Sequence, residues 1–249
     1  MGREAIKIPQ VRSVYGDQII CDGGPFGVGR QGGVSAYYPV GADCVLYHAY
    51  WDGTATNHAS SGSGHDGTVV GASFGTYGLT FDGNDDKVTA GNLTEINNLS
   101  EMTIYIWKAW TNDNASLDYC ISRGDASVYV GMADYSSSYG LVMPGYGHTT
   151  AATSTVWQMW ALVFDGAGAL NADKLKIYLN TSSQAITFDA NMPIVTPTIA
   201  DALFIVGTFR DGSSYPWKGI IGEVLVFNEA KDATALTAYY NATKSRYGL

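Results

Sequence analysis

Apolar residues fall along this chain in short runs rather than in long stripes. Met102–Trp110, Ser127–Met132, Val156–Phe164, Lys174–Leu179, Ala185–Phe188, Leu203–Phe209 and Gly219–Phe227 each have strand length, and several are rich in the β-branched and aromatic residues that suit a pleated, half-buried surface. Between such runs stand Asp52-Gly53, Asp82-Gly83, Asp165-Gly166 and Asp211-Gly212, dipeptides that favour tight turns. Regular short strands punctuated in this way predict an all-β antiparallel sandwich or jelly roll. TIYIWKAW and VWQMWALVF are apolar at successive positions, so both faces of these strands are expected to be covered, with Trp107, Trp157 and Trp160 in the core. Only the last segment has helical spacing. There Asp232 is placed to cap Leu236, Tyr239, Tyr240, Thr243 and Tyr247, and Gly248 to close the helix.

The strand pattern begins near Val45, and residues 1–41 differ from it. IKIPQVRSV alternates weakly around a proline and CDGGPFGVGRQGG is rich in glycine, which reads as an extended attachment arm with a hinge, ahead of a domain at 42–249. Such a segment holds too few core-forming residues to offset its own ordering entropy. Two homes are open to it: its own domain, or a neighbouring chain whose exposed strand edge the extended stretch would extend.

Composition narrows the partners. At 249 residues the chain can bury one full core, and with only 15% charged residues it lacks the Glu and Lys of long solvated helices. A net charge of −9 without any Lys/Arg run gives nucleic acid no electrostatic footprint, so no nucleic-acid partner is expected. Cys21, Cys44 and Cys120 are odd in number and show no C-x-x-C spacing, which argues for free thiols rather than a disulfide framework or a zinc site. No apolar run has the length of a signal peptide core or a bilayer span, so neither export by that route nor membrane insertion is expected.

Several motifs carry a family resemblance. VLYHAYWDGTATNHASSGSGHDGTVVGASFGTYGLTFDGNDDKVTAG, MTIYIWKAW, WQMWALVFDG, KGIIGEVLVFNEA and the final ALTAYYNATKSRYGL occur in the order seen in laminin-G-like, concanavalin A-like jelly-roll domains. The likeness covers about Val45 to Leu249 and implies a two-sheet sandwich with a short C-terminal helix. Two positions depart from the family pattern: Gly222 replaces the Asp of its closing I-D-E-V strand, and Asn57, His58 and Ala59 replace an Asp ahead of S-S-G. Each removes an oxygen that could bind calcium. Domains of this family behind a short unmatched arm resemble accessory proteins of bacteriophage particles, which implies a location on the virion, or outside the cell after lysis.

The densest chemistry lies in GLTFDGNDDKV, residues 78–88. Asp82, Asn84 and Asp86 have the opening spacing of an EF-hand, but Lys87 occupies the glycine position and Leu93 the position of the bidentate Glu, so that reading fails. Crowded on one turn, these carboxylates cannot straddle a sugar ring as a glycosidase pair must. A tight turn stabilised by its own side chains and a Ca2+ site made by Asp82, Asn84 and Asp86 both remain open.

The chain also lacks the E-x-D-x-E strand of the related glucanases and the HExxH helix, and a non-catalytic protein is expected. Sugar recognition needs exposed aromatic faces with convergent polar groups. Two segments read as loops have that composition: DYSSSYGLVMPGYGHTT with Tyr135, Tyr139, Tyr146 and His148, and FRDGSSYPWKG with Arg210, Asp211, Tyr215 and Trp217. These eight residues are the candidate carbohydrate site, unless the tyrosines merely cap the sandwich edges. The sequence therefore points to a glycan- or surface-binding jelly roll carried on a larger assembly. A polysaccharide lyase or glycoside hydrolase of the same fold, and a purely structural capsid or tail block, are its rivals.

Overall fold

A computed structural model describes residues 36–59, 64–111, 117–124, 129–135, 138–143, 145–149 and 154–249. Most of the expected arm, Cys21 included, lies outside the described residues. In chain order the strands are β1 (Cys44–Ala49), β2 (Thr68–Val70), β3 (Ser73–Gly75), β4 (Gly78–Asp82), β5 (Lys87–Thr89), β6 (Glu101–Trp110), β7 (Leu117–Gly124), β8 (Tyr129–Tyr135), β9 (Ser138–Met143), β10 (Gly145–Thr149), β11 (Gln158–Asp165), β12 (Leu175–Leu179), β13 (Ser182–Ser183), β14 (Thr187–Phe188), β15 (Phe204–Val206) and β16 (Lys218–Phe227). A short helix α1 (Asn171–Lys174) precedes β12, and α2 (Ala233–Thr243) follows β16.

The strands form two antiparallel sheets. The first runs β13-β12-β11-β6-β16-β4-β3, with β1 also beside β16; the second runs β14-β10-β9-β8-β7-β15-β5-β2. This is the expected jelly-roll sandwich. Period-two alternation divides the first sheet cleanly: Ile104, Ile106 and Trp110 of β6 and Trp160, Leu162 and Phe164 of β11 point into the core between the sheets, against Val88, Cys120, Met132 and Val206 of the second. The opposite face of the same strands, Tyr105, Trp107, Met159 and Ala161, packs with Leu236, Tyr239 and Tyr247. Covering on both sides accounts for the unbroken apolar runs.

The helix forms as its spacing predicts. The Asp232 carboxylate accepts from the Ala235 amide at 2.7 Å, capping α2, and a further turn over Lys244–Tyr247 ends at Gly248 in the left-handed region, φ 78°. Gly53, Gly83 and Gly212 of three Asp-Gly turns are also left-handed. Trp107 and Trp160 are fully buried, as are Cys44 and Cys120; Trp157 is partly buried, its ring 4.5 Å from that of Tyr247.

Three expectations change. The segment around Tyr139 and Tyr146, read as a loop, is the hairpin β9–β10. Its glycines are there because the space is taken: a Cβ on Gly140 would lie 2.8 Å from the Gly147 carbonyl oxygen, and one on Gly147 would lie 2.8 Å from Leu175. Residues 36–41, assigned to the arm, pack on the sandwich: Tyr38 meets Tyr239 edge-on at 5.1 Å, and the Ala36 carbonyl accepts from Arg246 at 3.1 Å. Finally, Gly222 is an extra residue in β16. The register against β6 shifts between Ile221 and Glu223, while on its other edge β16 passes from β4 to β1. A Cβ on Gly222 would stand 2.4 Å from the Tyr247 hydroxyl, so the Asp of related strands has no room here.

Candidate functional site

The outer face of the second sheet gathers aromatic residues from separate parts of the chain. Tyr119 of β7 pairs with Ala133 of β8, which pairs with Gly140 of β9 and then His148 of β10; Gly131 and Tyr146 lie in the next row. Small residues leave room for large ones, since a Cβ on Gly131 would meet the Tyr119 ring at 2.6 Å. The loop after β15 folds over this face: Phe209 packs on Tyr119 at 4.5 Å and meets Tyr129 edge-on at 5.0 Å. Tyr215 stands 5.8 Å from Phe209 and 6.1 Å from Tyr119. The Arg210 guanidinium lies over Phe209 at 4.6 Å and over Tyr129 at 5.3 Å.

This cluster is polar at its tips. Burial pushes the Tyr119 hydroxyl well above the usual tyrosine range, and its hydrogen bond to Tyr129, with Tyr146 and Tyr215 nearby, adds to the effect. Tyr146 stacks on His148 at 5.1 Å, and His148 Nδ1 lies 3.3 Å from the Asp189 carboxylate. Tyr215 is 46% exposed and sits at φ 50°, a left-handed backbone that a bulky aromatic seldom adopts and that costs about 1–3 kcal/mol where it occurs. The surrounding bonds impose it: the Tyr215 carbonyl accepts from the Tyr119 amide at 3.0 Å, and the Ser214 carbonyl from the Phe209 amide at 2.9 Å.

Of the eight residues expected to bind sugar, Tyr146, His148, Arg210 and Tyr215 thus belong to this face. Trp217 does not: it is fully buried between the sheets, 6.3 Å from Trp110, because it leads into β16 on the core side. Asp211 is a turn residue. Its carboxylate accepts from the Ser213 and Ser214 amides and the Ser214 hydroxyl; burial pushes its pKa up, but these bonds outweigh it and hold it at about 2. Tyr135 and Tyr139 belong to β8 and β9, and their side chains lie outside what is described. Tyr119, Tyr129 and Phe209 were missed because each sits in or beside a strand, where an aromatic reads as core. The available signal was the alternation Tyr129-x-Gly131-x-Ala133 beside Tyr119, with large and small residues sharing one face.

The acidic turn has the geometry of a turn. Asp82 accepts from the Asn84 amide at 2.8 Å and from its side chain at 3.0 Å, while buried Asp86 accepts from the Asp82 amide at 2.7 Å. The Asn84 bonds lower the Asp82 pKa, and burial raises that of Asp86. Carboxylate oxygens of Asp82, Asp85 and Asp86 come within 4.8 Å of one another. Lys87 turns away, its amine donating to the Gly212 carbonyl at 2.8 Å. The second departure from the family pattern is also occupied by structure: Asn57 Oδ1 accepts from the amides of Tyr47 and Ala59. The hydrogen-bonded oxygens of both sets thus help to shape their own loops.

Comparison with known proteins agrees with the fold. The family model Laminin_G_3, of the concanavalin A-like lectin/glucanases superfamily, matches residues 82–237, more than half of the chain, and the chain belongs to this family. Among solved structures it is similar to domain 4 of AbnA, a GH43 extracellular arabinanase from Geobacillus stearothermophilus, in complex with arabinotriose. That likeness has 14% identity and a TM-score of 0.59, over 79% of this chain and 97% of the other. The Ruminococcus gnavus IT-sialidase CBM40 bound to α2,3 sialyllactose is 18% identical with a TM-score of 0.50, covering 70% and 95%. The botulinum neurotoxin serotype G binding domain is 12% identical with a TM-score of 0.59, covering 81% of this chain and 51% of that one. No curated protein matches in sequence.

Proposed function

We propose that the outer face of the second sheet binds carbohydrate and that the domain is a non-catalytic recognition module. The observation that carries this reading is the rim of Tyr215, Tyr129, Tyr146 and Arg210, which stands around the buried rings of Tyr119 and Phe209. Aromatic faces suit the C–H surfaces of a sugar ring, while hydroxyls and a guanidinium serve its oxygens. Two of the similar folds were solved with arabinotriose and sialyllactose bound, which supports a sugar as ligand. The adjacent acids Asp118 and Asp134 of the second sheet face the interior, where Trp110 and Lys108 engage them, and so are closed to a sugar.

A panel of immobilised neutral and acidic glycans tests the proposal. Tyr215→Ala and Tyr146→Ala should each weaken the best binder about tenfold, equal to about 1.4 kcal/mol, with melting nearly unchanged. No binding across the panel, or binding indifferent to Tyr215→Ala, would overturn it. Attachment to a larger assembly through the arm belongs to the same proposal. Because Tyr37 and Tyr38 pack on the domain, the fitting deletion is of residues 1–33. It should leave binding and melting intact while abolishing incorporation into the parent assembly.

A further inference from the structure

The interior of the sandwich holds a reactive pair that sugar binding does not use. Lys108 projects from β6 of the first sheet, and its Nζ directly contacts Asp134 Oδ1 of β8 in the second. Both side chains are buried to within 1% of their surface. The Trp217 ring lies 4.8 Å from the amine and the Trp160 ring 5.5 Å. A second buried acid stands beside the first: Asp118 of β7 is the cross-strand partner of Asp134, so their side chains share one face. The Trp110 indole donates to Asp118 at 3.1 Å.

Removing an ammonium and a carboxylate from water costs several kcal/mol per ion, and their mutual attraction often fails to return it. An amide between the two side chains would remove both charges at once. We infer that Lys108 and Asp134 form an intramolecular isopeptide bond that ties the two sheets together, with Asp118 as the proton relay. The ingredients are an amine held against a carboxyl group, apolar walls that exclude water, and a neighbouring acid to carry protons.

The step balances without any added reagent. Proton transfer within the contact converts the ammonium and carboxylate to amine and carboxylic acid. The nitrogen lone pair then forms the Nζ–Cγ bond, the Cγ–O bond to the hydroxyl breaks, and that oxygen takes a second proton from Nζ and leaves as water. Asp118 accepts that proton from nitrogen and delivers it to the departing oxygen. Nothing is oxidised or reduced.

Intact-mass spectrometry of the denatured full chain decides the matter. The wild type should weigh less than its composition requires by the mass of one water, whereas Lys108→Met and Asp134→Ala should show no deficit. Proteolytic mapping should recover a branched peptide joining the Lys108 and Asp134 segments, uncut after Lys108. A folded wild type of full mass would overturn the inference, whatever the variants do. Asp118→Asn should fold yet keep the full mass; a complete deficit in that variant would overturn its relay role.

Discussion

The two outer faces of this sandwich are built from the same kind of strand yet end in opposite conditions. On the first sheet, α2 and the turn after it lie over Tyr105, Trp107 and Leu225, and an acid beneath them, Glu223, is fully buried and saturated. It accepts from the Trp51 indole at 2.7 Å, from the hydroxyls of Tyr239, Tyr247 and Tyr47 at 2.8, 3.2 and 3.3 Å, and from Arg246. Burial holds the Tyr239 and Tyr247 hydroxyls far above their ordinary range, so they stay protonated as donors. On the second sheet the aromatic residues carry hydroxyls and a guanidinium at an accessible rim, and Tyr215 is held out on a strained backbone. Aromatic content alone does not mark a binding face; what matters is whether the polar tips are consumed internally.

The contrast is broken most severely at Glu223. Glu223→Ala strands Arg246 and three buried hydroxyls and should lower unfolding free energy by roughly 3–5 kcal/mol, read as a lower denaturant midpoint. Glycan binding by the fraction still folded should be unchanged. Loss of binding at full stability would show that the two faces are not independent.

A somewhat smaller effect comes from the interior between them. His48 lies within the core with Nε2 2.8 Å from the His65 carbonyl and Nδ1 3.1 Å from the Tyr50 hydroxyl, so Nε2 carries the proton of a neutral ring. Burial lowers its pKa from 6.5 to about 4. The unfolded chain therefore takes up a proton below about 6.5 that the native state refuses until about 4. Its contribution, roughly 3 kcal/mol, is present above that window and declines as pH falls through it. His48→Gln should flatten this part of the stability profile; an equal slope in both proteins would assign acid sensitivity elsewhere.

The smallest effect is expected at the acidic turn. Chelator and millimolar calcium should leave the melting temperature unchanged, because Asp82 and Asp86 already accept bonds within the turn. A chelator-induced drop in wild type that disappears in Asp86→Ala would instead establish a bound ion.

Much of the covered face was legible in the sequence, and less of the open one. Two-sided apolar strands and a capped helix leave periodic signals, so β6, β11, β16 and α2 could be read directly. The open face depends on β9 and β10, where Gly140, Gly145 and Gly147 dilute the strand signal precisely because neighbouring backbone and side chains leave no space for a Cβ. Trp217 and Tyr215 are two residues apart, with one inside and the other outside. Composition groups them, and only the fold separates them. Tyr119 and Tyr146 lie in different strands, and their proximity is a matter of sheet order, which no local pattern encodes.

The position of Glu223 also bears on the order in which the chain is made. A ribosome delivers β16 before Tyr239, Arg246 and Tyr247, so for a time the carboxylate lacks three of the five partners that neutralise it. A nascent or prematurely terminated chain lacking Arg246 and Tyr247 would have to bury an uncompensated charge to close its first sheet. The carboxylate thus couples closure of the first sheet to docking of α2 and the turn that follows it.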